Sequence, residues 1–287
     1  MTGTLQQAHR THRVQEKLRQ IISAAPILLR LARSARAVMH FGPWRPLARA
    51  LIRHSRPPMR VLNSSGCTIS FPNAARLNSD LRADGIAHAG LLETSVLQRV
   101  RAISDNLPAG EYAEFQVIPD VCALTECAAN IARDYLQAEP ELLECSLFIS
   151  NPEIRSTERK LDSDCDFYFE DAGWHSLSLF VHLTEFSKES GAYQFVVGTH
   201  RTMTLQEAVR GVFPESAIRT RYSDRLRSFT GPPGTLLFAD TTAIHRRRIY
   251  SKRHAIIHIL FVSHRSWASR GRRLPTYLEY LRAHCDI

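Results

Sequence analysis

The chain of 287 residues contains no long apolar run. Its longest such stretch, Ile21 to Leu29, is interrupted by Pro26 and stops at Arg30. That is well short of the roughly 20 residues a membrane span needs. The N-terminus lacks a basic-then-apolar-then-small pattern, so no cleaved leader is expected. Glycine and proline are few, 13 and 14, which excludes collagen-like and low-complexity classes. No two cysteines stand in C-x-x-C spacing. Cys67, Cys122, Cys127, Cys145, Cys165 and Cys285 are scattered and read as reduced thiols of a cytoplasmic protein. Acidic residues are scarce at one end: residues 1–60 carry 12 Lys and Arg against Glu16 alone. The remaining 227 residues carry 25 bases and 27 acids, so the net charge of +9 belongs to the N-terminal segment. A uniformly basic nucleic-acid surface is thereby excluded. There is no G-x-S-x-G elbow and no P-loop, and Gly231-Pro232-Pro233-Gly234 reads as a turn.

What is present falls into two parts. Residues 1–61 form a basic, helical N-terminal segment: a helix is expected over 13–40, kinked or broken at Pro26, with apolar residues Val14, Leu18, Ile21, Ile22, Ala25, Leu28, Leu29 and Ala32 mostly three or four apart. A second short helix is expected from Pro46 to His54. Residues 13–54 are thus a candidate for peripheral membrane or protein contact. Residues 62–287 form the main domain. Its first half predicts helices near Asn73–Asp84, Thr94–Asn106 and Ala123–Leu136. Its second half turns to strands at Leu142–Ile149, Leu177–Leu183, Tyr193–Val197, Thr235–Ala239 and Ala255–Val262. Leu274–His284 is a candidate C-terminal helix. Many short strands after a helical half predict a mainly β fold with flanking helices, in jelly-roll style.

Four blocks in order carry a resemblance. They are "LRADGIAHAGLL" (81–92), "ARDYLQAEPELLECSLF" (132–148), "LSLFVHLTEFSKESGAYQFVVGTHR" (177–201) and "GPPGTLLFADTTAIHRRR" (231–248). Together they resemble the phytanoyl-CoA dioxygenase family of Fe(II)/2-oxoglutarate oxygenases. The resemblance implies a double-stranded β-helix (jelly-roll, cupin-like) core, Fe(II) and 2-oxoglutarate as cofactors, and hydroxylation of a small organic or lipid-like substrate. Such sites hold iron by two histidines and a carboxylate and leave positions open for the 2-oxoacid and dioxygen. By the resemblance His245 takes the distal histidine position. Arg253 takes the place of the arginine that pairs with the distal carboxylate of 2-oxoglutarate.

The first half of the metal set departs from the family. Counting back ten residues from Phe180 puts Glu170 at the aspartate position and Tyr168 at the first histidine position. The expected His-x-Asp reads Tyr168-Phe169-Glu170. Glutamate keeps a carboxylate, but a phenol with a pKa of about 10 loses its proton at pH 7 at a cost of roughly 4 kcal/mol. A second register, Asp164-Cys165-Asp166, keeps two carboxylates on one strand face. Asp171 and His175 lie close enough in sequence to join either set. The alternative function is a non-catalytic relative that binds or scaffolds without iron. His200 reads as a turn brace, His182 and His258 as core or pocket-lining side chains, and Trp174 and Phe167 as pocket or core aromatics.

Overall fold

Period-2 alternation in the second half becomes two antiparallel sheets, and the 3.6-period stretches of the first half become helices laid on one of them. The computed structural model describes Phe71, residues 73–150, 166–170, Ala172, 175–187, 192–247 and 252–263, together with Phe41, Trp44, Leu47, Ala50 and Leu51. The expected helix over 13–40, most of the helix over Pro46–His54, the C-terminal helix, and Asp164, Asp171 and Trp174 lie outside the described residues.

By contacts the chain divides into two units, 1–45 with 204–210, and 46–203 with 211–287. Of the first unit the best-described piece is the short helix Leu205–Arg210. It opens on a reciprocal cap: Thr204 N–H donates to the Glu207 carboxylate (2.8 Å), and Thr204 Oγ1 accepts from Glu207 N (3.3 Å).

The second unit carries three longer helices, α1 (Ala74–Asp84), α2 (Thr94–Asp105) and α3 (Pro119–Leu136). Helix α3 starts a turn before the expected Ala123 because Pro119 suits the first helical position. It buries Val121, Leu124, Ala128, Ile131, Ala132 and Tyr135 on one stripe. The first sheet runs in the order β1 (Ile86–Leu91), β9 (Thr235–Ala239), β5 (Ser176–His182), β11 (His254–Val262), β3 (Glu141–Ser150), β2 (Gly110–Tyr112). The second runs β7 (Val212–Phe213), β4 (Phe167–Tyr168), β10 (His245–Arg247), β6 (Tyr193–Val196), β8 (Leu226–Phe229). From β3 to β6, and again from β8 to β11, the chain changes sheet at every strand. This is the double-stranded β-helix expected above.

Alternation sorts the side chains into three layers. Leu177, Leu179 and Val181 of β5 and Ala255, Ile257 and Ile259 of β11 face the helices and join one large core. Phe180, Tyr193, Phe195, Leu237 and Ile256 fill the space between the sheets. Phe167, Val196, Phe213, Ile218 and Tyr222 pack on the outer face of the second sheet, under the helix Glu215–Tyr222.

One expectation is overturned. Cys122 and Cys145 are free thiols, but Cys127 is disulfide-bonded, so the six cysteines are not all reduced. A pairing brought about by tertiary folding leaves no mark in sequence spacing.

Candidate active site

His245 is delivered by a turn that the sequence Asp240-Thr241-Thr242-Ala243 builds between β9 and β10. Asp240, fully buried, accepts from Thr242 N (3.0 Å), Thr242 Oγ1 and Tyr135 Oη (2.7 Å). Its backbone oxygen accepts from Ala243 N, and its own N–H donates to Gly85 O. His175 Nε2 lies 3.8 Å from its carboxylate. Ile244 N donates to Thr199 Oγ1 (2.9 Å), which in turn donates to Val196 O, so the start of β10 is pinned from both sides.

Within this frame His245 is 1% exposed. Its Nδ1 lies 2.9 Å from Ala243 O. A carbonyl only accepts, so Nδ1 carries the proton and the lone pair of the neutral ring is on Nε2. Tyr168 sits directly opposite in the β4–β10 pair, with ring centroids 4.7 Å apart. Tyr193 (5.6 Å) and Phe195 (6.2 Å) complete the ring wall. Phe167 and Phe169 both pack on the outer core, so Tyr168 between them turns inward. The Glu170 N–H donates to Thr241 O (2.8 Å), tying it to the turn ahead of His245. The structure therefore places Tyr168 beside His245 and ties the Glu170 backbone to the turn that precedes it. Asp166, of the second register, directly precedes β4.

Arg253 is not brought there. Its Nη2 donates to Ser104 O (2.7 Å) and Leu107 O (3.1 Å) at the end of α2. It shares the helix-facing side of β11 with Ala255 and Ile257, which corrects the expectation that it reaches a ligand beside His245. Spacing from His245 alone misled here. The period of β11 puts His254 and His258, not Arg253, on the interior face. Phe167 is likewise not a pocket residue: it lies under the Arg246 guanidinium, 4.3 Å from the ring centroid.

The interior holds two polar groups that the sequence reading did not assemble. His258 Nε2 lies 2.9 Å from Ser178 Oγ, and its Nδ1 lies 3.5 Å from Glu144 Oε1, which accepts from Ser146 Oγ. Its ring stacks on Phe180. Ser178 is fully buried, so this acid–imidazole–hydroxyl chain is a network inside the sheet. Toward the other end, His182 Nδ1 lies 3.3 Å from His254 Nε2. His200 is buried and lies against Gly85 at the close of α1.

Among the described residues no group of three His, Cys, Asp or Glu side chains is placed to hold a metal ion. The groups at this end that could meet an ion are the His245 imidazole, oriented through Nδ1 by Ala243 O, and the Tyr168 phenol beside it, with Glu170 tied to the same turn through its backbone.

No protein-family model matches the chain, and no curated protein does. Solved structures do match. The non-heme alpha ketoglutarate dependent epimerase SnoN from nogalamycin biosynthesis aligns with a TM-score of 0.50 at 16% identity, over 66% of this chain and 82% of its own. The apoform of EctD from S. alaskensis aligns with a TM-score of 0.50 at 16% identity, over 76% and 88%. These likenesses are ones of fold.

Proposed function

We propose that the chain is a non-haem Fe(II)/2-oxoglutarate-dependent oxygenase of the phytanoyl-CoA dioxygenase type, with an altered metal set, acting on a small organic or lipid-like substrate. The observation that carries this reading is the pairing of Tyr168 with His245 across β4 and β10, with the His245 ring oriented through Nδ1 by Ala243 O. The fold shared with an α-ketoglutarate-dependent enzyme supports it. In this reading His245, Glu170 and Tyr168 hold the ion. Bound iron would supply the redox chemistry by which dioxygen and the 2-oxoacid oxidise a C–H bond. The protein's own part is to fix the imidazole through Ala243 O, to give up or retain the Tyr168 phenol proton, and to keep water out with Tyr193, Phe195 and Phe180.

Anaerobic addition of Fe(II) and then 2-oxoglutarate to the purified protein tests the reading. A saturable visible charge-transfer band is expected, lost in His245→Ala and strengthened in the double variant Tyr168→His/Glu170→Asp. A folded protein that shows no band in either form would sink the iron reading.

The N-terminal segment is read as a contact with an anionic surface. Leu47 and Leu51 stand about one helical turn apart at 64% and 62% exposure, within a segment carrying 12 bases. Binding to vesicles containing anionic lipid, weakened by salt and lost on deletion of residues 1–60, is the expected result. Equal binding to neutral vesicles would count against it.

A further inference from the structure

The basic groups on the interior face of the first sheet are histidines. His182 lies on β5, and His254 and His258 lie on β11; among the described residues of that face there is no lysine or arginine. Arg253 is engaged with the helix layer. His182 and His254 are each 1% exposed. Beyond their mutual contact, His254 Nδ1 lies 2.7 Å from Thr184 Oγ1, which also accepts from Ala255 N (3.2 Å). The His182 ring stacks face to face on Phe186, centroids 3.6 Å apart and planes 8° apart.

This geometry limits the pair to two charge states. Two ring nitrogens 3.3 Å apart hold one proton between them. If that proton is on His254, His182 is protonated at Nε2 and Thr184 donates to His254 Nδ1. If it is on His182, His254 Nδ1 donates to Thr184. One added proton occupies both outer nitrogens and makes the pair a cation. A second would set N–H against N–H.

We propose that the His182–His254 pair is a carboxylate anchor inside the barrel, so that this interior binds an organic acid together with one proton. The acid class rests on the reading of the barrel as a 2-oxoglutarate site, which makes a short dicarboxylate the ligand. A permanent arginine cation would bind the same acid at any pH; a shared-proton pair makes uptake conditional on pH.

The groups facing the pair, on the described elements packed around it, are Thr184 and Phe186 after β5, with Ser150 and Phe148 opposite His254 and Ile256 on β3. By register the other titratable or charged side chains on the inward faces are Glu111, Glu144, His258 and the exposed His88 of the first sheet, and Tyr168, Tyr193, His245 and the exposed Arg227 of the second. Glu185 and Lys252, close in sequence, are exposed.

Calorimetric titration of the full-length, metal-free protein with 2-oxoglutarate and with succinate, in buffers of different ionisation enthalpy, tests the anchor. The wild type is expected to take up close to one proton per acid bound at alkaline pH. Its affinity should fall about tenfold per pH unit above the titration of the pair. His254→Gln should lose the acid, and His254→Arg should bind it with no proton uptake and a flat pH profile. Acid binding without proton uptake in the wild type, or binding kept in His254→Gln, would overturn the proposal, as would no binding at any pH. The wild-type measurement needs no variant to fold. An iron charge-transfer band without proton-coupled acid binding would sink the anchor alone; proton-coupled binding without a band would sink the iron reading alone.

Discussion

Single residues decide where the site is and what it is not. Gly85 closes α1 at φ +82, and a Cβ there would stand 2.5 Å from His200 Nδ1. Gly85→Ala should therefore cost about 1–3 kcal/mol, read as a lower urea midpoint. Part of that loss should return in Gly85→Ala/His200→Ala, since the two sites share one contact. Arg253→Ala removes two hydrogen bonds to backbone carbonyls and should destabilise by about 1–3 kcal/mol. Acid binding per folded molecule should stay unchanged; a variant that keeps its stability but loses 2-oxoglutarate would restore Arg253 to the site. Burial pushes the Cys145 thiol up to about 12, whereas Cys122 is exposed. Native alkylation followed by peptide mass mapping should label Cys122 and spare Cys145.

At the scale of elements, β10 is held from both faces. His245 faces the interior, while Arg246 faces outward and is 2% exposed. Its Nε donates to Gln194 Oε1 (2.6 Å), and its Nη2 meets Glu215 Oε2 (2.8 Å) at the start of the helix Glu215–Tyr222. Arg219 adds a second donor to Glu215. Burial alone would raise the Glu215 carboxyl, but the hydrogen bonds and charges of Arg246 and Arg219 outweigh it and hold the group below its usual range. A folded-state pKa below the unfolded one gives stability that is complete above the unfolded value and is lost as pH falls through the folded one. The stability advantage of wild type over Glu215→Gln should accordingly be present at pH 7 and shrink below about pH 4. Denaturant melts at the two pH values would show it, and an advantage independent of pH would contradict it. Arg246→Met should destabilise by about 3 kcal/mol, because Gln194 and Glu215 lose their partner.

For the whole molecule, the cysteines give a sharp expectation. Cys122 and Cys145 are free and Cys127 is disulfide-bonded. Peptide mapping without reductant should find a cross-link to Cys127 and none to Cys122 or Cys145. No described helix is long and apolar enough to cross a membrane.

Much of the fold was legible because long strands and helices write their period into the sequence. The alternation from Leu177 to Leu183 and the 3.6-period stripe of α3 needed no tertiary information. The strands of two or three residues, β2, β4, β7 and β10, are too short to show a period, and tertiary pairing alone defines them. The same division holds at the site. The order of blocks pointed to His245, and counting from Phe180 pointed to Tyr168 and Glu170. That Tyr168 stands across from His245 is a matter of strand pairing between segments more than 70 residues apart. The sequence by itself determined which chemical groups exist: histidines, a tyrosine and a glutamate. Only the tertiary structure decided which of them face inward. The side of β11 on which a residue lies is set by its parity along the strand and by what packs there. That is why Arg253 ends on a helix and His254 ends beside His182.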